Sequence, residues 1–60
     1  MSRILFVDDD PFTLETLSRA AQVLGHDALL AHSGAEALHM AESEMPDMVF
    51  VDIHLTDMDG

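Results

Sequence analysis

Met48–Val49–Phe50–Val51 is an unbroken apolar run that stops at Asp52, and this stop constrains the fold more than any other feature of the chain. An apolar run without polar alternation reads as a strand buried in the core. Asp52 then stands where that strand leaves the core. In open parallel α/β sheets, ligands and chemistry gather just outside the carboxyl ends of the strands, so a carboxylate there is a candidate functional group. A solitary Asp in such a place is commonly a turn residue. Its meaning depends on what the rest of the chain brings beside it.

The chain opens on the same design. Ile4–Leu5–Phe6–Val7 is a second apolar run, long enough for a short strand, and it stops at Asp8–Asp9–Asp10–Pro11. Asp caps free amides, negative charge suits a helix start, and Pro is tolerated at the first helical position, so a helix is predicted from about Pro11. Leu14, Leu17, Ala21 and Leu24 recur at helical spacing and predict its apolar stripe. Gly25 offers a left-handed stop. Ala28–Leu29–Leu30–Ala31 predicts a second short strand, although Ala and Leu are weak strand formers. Ser33 and Gly34 supply capping chemistry for a second helix over residues 35–43, with Ala37, Leu38, Ala41 and Met45 expected on one face and Pro46 ending it. Asp47 leads into the Met48–Val51 strand.

The predicted order is β-α-β-α-β. Strands alternating with helices pair in parallel through right-handed crossovers. With the first strand between the second and third, as in flavodoxin-like folds, the helices cover opposite faces and Asp8, Asp9 and Asp10 adjoin Asp52 at the switch point. Four carboxylates would then share one crevice. Two of them about 4 Å apart at an effective dielectric near 20 repel by roughly 4 kcal/mol, so the cluster must protonate, spread or hold a cation, and Mg2+ resolves the conflict best.

Charge points the same way. Arg3 and Arg19 face twelve acidic residues, a net charge of −10, which argues against nucleic-acid binding and against anionic membranes. It favours a hard divalent cation where carboxylates converge. The absence of cysteine excludes disulfides and thiolate zinc sites. Residues 4–7 are too few for a signal-peptide core and no run reaches transmembrane length, so a soluble cytoplasmic protein is expected. His26, His32, His39 and His54 show no paired metal-ligand spacing and are expected to face solvent. At 48% hydrophobic the chain is globular in composition, yet 60 residues make a marginal core, burying roughly 60% of the unfolded surface.

Arg3–Pro11, Leu24–Gly25–His26, Gly34–Leu38, Pro46–Asp47 and Val51–Gly60, in this order and spacing, resemble the receiver domain of two-component response regulators. The resemblance runs from Ile4 to Gly60. It implies the β-α-β-α-β half of a flavodoxin-like (βα)5 receiver, a three-stranded parallel sheet in order 2-1-3, with residues 1–60 as one truncated receiver domain. It also implies Asp52 as phosphoacceptor, taking a phosphoryl group from the phosphohistidine of a sensor histidine kinase or phosphotransfer protein. Asp8 and Asp9 match the family's acidic pair for Mg2+, Asp9 as the direct ligand and Asp8 acting more through water, while Asp52 and the backbone carbonyl of His54 complete the metal site. Asp10 is the capping candidate. On this resemblance the chain is at most a self-phosphorylating module. A carboxylate accepts phosphoryl groups when a metal screens it from the incoming oxygens, and Mg2+ suits one or two carboxylates plus phosphate and water.

Two departures accompany the match. Thr56 stands where the family commonly has proline. The family's phosphoryl-binding Ser or Thr, its Lys and its aromatic switch residue belong to strands beyond Gly60, so impaired switching is expected of the 60 residues alone. Two rivals come from other classes. Asp52–Thr56 resembles the D-x-D-x-T motif of haloacid-dehalogenase-type phosphatases, but His54 replaces the second aspartate and with it the general acid. A non-catalytic module would instead use the third strand's free edge or an apolar face to form a homo-oligomer or to pair with a complementary fragment.

Overall fold

The computed structural model describes residues 2–52. Strands and helices alternate as β1 (Arg3–Val7), α1 (Pro11–Val23), β2 (Asp27–Ala31), α2 (Gly34–Glu44) and β3 (Met48–Val51). The strands form one parallel sheet in the expected order β2-β1-β3. The period of two along β1 divides the core: Ile4 and Phe6 pack with Leu14 and Ala21 of α1, while Leu5 and Val7 pack with Ala31 and with Ala37 of α2. Each helix therefore covers one face. β1, lying between its neighbours, is buried on both sides, as an apolar run without alternation predicts.

Local chemistry sets the helix ends. Asp10 caps α1, its carboxylate accepting from the Phe12 N–H at 3.1 Å and the Thr13 hydroxyl at 2.9 Å, with Pro11 in the first turn. The far end closes when Gly25 takes φ 85° and the Gly25 and His26 amides donate to the carbonyls of Gln22 and Ala21. Ser33 caps α2 by accepting from the Glu36 N–H at 3.1 Å, and the Glu36 carboxylate accepts in return from the His32 N–H at 3.2 Å. Met45 ends α2 in the left-handed region at φ 50°, one residue before Pro46.

Four expectations fail, each for a physical reason. Leu24 and Met45 are exposed instead of completing their stripes, because both are C-cap residues where the helical period has ended. Leu38 is 68% exposed, since the buried line of α2 runs through Gly34, Ala37 and the half-buried Ala41. It lies about 60° round the helix from Ala41 and about 100° from Ala37, on the flank of that line. Third, β3 is not a buried strand: Met48, Val49, Phe50 and Val51 are 41–52% exposed. Neither helix packs against it, so its faces have no cover among the described residues. It is held by its ladder to β1 and by Phe50, whose ring stacks on Phe6 at 5.6 Å. His26 also departs from the solvent-facing expectation, being half-buried with Nδ1 accepting from the Ser2 N–H.

Candidate functional site

The site lies where β1 and β3 end side by side. Parallel pairing sets Val7 opposite Val51, so the next residue of each strand, Asp8 and Asp52, leaves the sheet at the same edge. Two backbone bonds carry the ladder one step further. The Asp8 N–H donates to the Ala31 carbonyl at 3.1 Å and the Asp52 N–H to the Val7 carbonyl at 2.9 Å. Asp8 and Asp52 thus sit on backbone as regular as the strands that precede them. Side chains placed this way are more sharply positioned than side chains on loops.

Past Asp8 the chain must turn from strand to helix, and its own carboxylates make the turn. Asp8 Oδ1 accepts from the Asp10 N–H at 2.9 Å, the short-range bond of an Asx turn. That bond swings Asp10 into the cap of α1 and leaves Asp9 exposed at the apex. The three consecutive aspartates therefore divide their work: Asp8, only 9% exposed, is buried at the end of β1, Asp9 is exposed beside it and Asp10 serves the helix.

One carboxylate oxygen from each of Asp8, Asp9 and Asp52 lies within 4.8 Å of the others. The sequence suggested four crowded carboxylates; the structure gathers three, because the cap takes the Asp10 carboxylate. The donor set fits a hard divalent ion such as Mg2+, all oxygen and all formally anionic, with one partner exposed so that water can fill remaining positions. His54, expected to contribute its backbone carbonyl, lies outside the described residues. Among the described residues no helix is long and apolar enough to cross a membrane.

Sequence reasoning missed one pair that serves this edge from the opposite end of the sheet. The Arg3 N–H donates to Asp47 Oδ2 at 2.8 Å, the Asp47 N–H donates to the Arg3 carbonyl at 2.8 Å, and Arg3 Nη1 donates to the Glu44 carbonyl at 2.8 Å. Asp47 directly preceding the apolar run was the one available signal. Nothing in the sequence showed that its partner was Arg3.

Comparison with known proteins agrees with this geometry. Residues 4–60 match the family described as response regulator receiver domain. The chain is similar to the Response regulator MprA of Mycobacterium avium (strain 104), 43% identical over 58 residues, which is 97% of this chain and 25% of that protein. It is equally similar to the Response regulator MprA of Mycobacterium tuberculosis (strain ATCC 25618 / H37Rv), with the same identity and coverage. The chain thus spans about a quarter of the length of these curated relatives.

Proposed function

This chain belongs to the response regulator receiver domain family, and we propose from that membership that it accepts a phosphoryl group on Asp52. The convergence of Asp8, Asp9 and Asp52 within 4.8 Å is the observation that carries the reading. In the proposed step an Asp52 carboxylate oxygen attacks the phosphorus of a phosphohistidine on a histidine kinase or phosphotransfer protein. A P–O bond to Asp52 forms as the donor's P–N bond breaks, and the departing imidazole nitrogen takes up a proton.

Asp8 and Asp9, with Asp52 itself, would hold Mg2+, and His54 would add its carbonyl. Bound there, Mg2+ supplies charge neutralisation at the phosphoryl oxygens, which a cluster of bare carboxylates would otherwise repel. The remaining work falls to the protein. The Asp52 N–H bond to Val7 fixes the nucleophile's backbone at the end of the sheet. The Asx turn at Asp8 fixes the angle of the acidic pair. Asp8, Asp9 and Asp52 make this edge acidic, so the donor's phosphoryl group would approach with the cation.

The test is intact mass after incubation with Mg2+ and acetyl phosphate. The chain is expected to gain one phosphoryl group, Asp52→Asn none; equal gain by both, or by neither, sinks the reading.

One observation favours a second reading, that of an associating module. β3 presents apolar side chains on both faces and, among the described residues, pairs with β1 alone. Such a strand invites a second copy or a complementary fragment. Sedimentation at several concentrations is expected to show association that Asp52→Asn leaves unchanged, and a concentration-independent monomer mass rules this reading out.

A further inference from the structure

β3 carries the proposed nucleophile, yet it is the least supported element. Register is strongly specified where one face of a strand is buried and the other is not, since a slip of one residue exchanges the faces. Among the described residues β3 lacks that safeguard. Met48 and Phe50 lie on the α1 side of the sheet, Val49 and Val51 on the α2 side; all four are apolar, all are about half-exposed, and neither helix touches them. A one-residue slip would trade apolar for apolar. It would also turn the Asp52 side chain to the opposite face, away from Asp8 and Asp9.

From the bonds at the start of the strand we infer that Asp47 is a positioning residue, whose carboxylate sets the register of β3 on β1 and thereby brings Asp52 to the acidic pair. Arg3 presents its N–H and carbonyl toward Asp47, and Asp47 answers both: its own N–H meets the Arg3 carbonyl, and its side-chain Oδ2 meets the Arg3 N–H. The carboxylate stands where a further strand residue would otherwise offer a backbone carbonyl. Such a pairing is specific to one register, because a slip places an apolar side chain opposite the Arg3 amide and leaves that donor without its acceptor. Arg3 Nη1, on the Glu44 carbonyl, ties the last turn of α2 to the same point and limits how far the intervening turn can shift. The Phe6–Phe50 stack and the Asp52–Val7 bond follow from this register and report on it.

The inference rests on the phosphoacceptor reading for its functional consequence, so the test keeps the two apart. In the 60-residue chain, register is read by NMR from Phe6–Phe50 ring contacts and from slow exchange of the Asp52 amide, in native protein, Asp47→Ala and Asp47→Asn. Binding of Mg2+ alone is measured in parallel by calorimetry. Asp47→Ala is expected to lose both register signals while keeping the Phe6–Leu30 pairing of β1 with β2, and to bind Mg2+ at least tenfold more weakly. Asp47→Asn, which retains an acceptor oxygen, is expected to recover both signals and to bind within threefold of the native chain.

Native register signals in Asp47→Ala overturn the inference. So does loss of the β1–β2 pairing as well, which would make Asp47 a general stabiliser, and so does failure of asparagine to rescue. If the native chain gains no phosphoryl group, the proposed function fails, while the register signals still decide the role of Asp47.

Discussion

Leu14→Ala is expected to remove roughly half of the stability of this chain, whereas Leu38→Ala is expected to leave it almost unchanged. Leu14 is buried against Ile4, Phe6 and Ala21 under the central strand. Truncating such a leucine costs about 2–5 kcal/mol, the lost transfer energy plus the cavity left behind. At about 0.05–0.15 kcal/mol per residue, 60 residues have a total stability of about 3–9 kcal/mol. One truncation therefore removes a large part of what holds the fold. Leu38 projects from α2 into solvent, and exposed substitutions usually stay within about 0.5 kcal/mol. Urea denaturation followed by circular dichroism compares the two variants directly, and equal midpoints would show that the assigned faces of the helices are wrong.

The same pair marks where sequence reading reaches its limit. Periodicity located both helices and put Leu14, Leu17 and Ala21 on the right stripe, because the α1 stripe is long and its flanks are polar. In α2 the apolar residues Ala35, Ala37, Leu38 and Ala41 admit more than one phase, and only packing against Leu5, Val7 and Ala31 selects the line through Ala37. Local chemistry was more legible. The caps at Asp10 and Ser33 and the turn at Gly25 depend on residues at most five apart, so their residue types announce them.

The juxtaposition of Asp8 with Asp52 was legible for a different reason: strand–helix alternation leaves few topologies, and in the 2-1-3 order both strands must end at one edge. What escaped was either long-range or dependent on cover. Arg3 and Asp47 stand 44 positions apart and meet through a backbone amide, which has no sequence signature. An apolar strand reads as buried in any sequence, whereas its exposure depends on whether another element lies across it. β3 has none among the described residues.

Removing one carboxylate is expected to reverse the sign of its effect when Mg2+ is added. In Asp9→Asn the substitution is nearly isosteric at an exposed site, so charge changes with little change in packing. Without divalent ions, the native cluster sets three carboxylates within 4.8 Å of one another. At an effective dielectric of 20 that separation corresponds to a repulsion of about 3.5 kcal/mol per pair, reduced by solvent and salt because Asp9 is exposed. Relief of even about 1 kcal/mol raises the melting temperature of a chain this size by about 4–8 °C. Asp9→Asn should therefore melt above the native chain in EDTA. With Mg2+ present the order reverses. An ion that binds only the folded state stabilises it by about 2.7 kcal/mol at a concentration one hundred times its Kd, and the variant, with two carboxylates in place of three, gains less at the same concentration. Scanning calorimetry in EDTA and then in excess Mg2+ would show the two melting curves exchange places. If Asp9→Asn melts above the native chain under both conditions, Asp8, Asp9 and Asp52 share no ion and the metal assignment falls; if it melts below under both, their repulsion is too weak to govern stability.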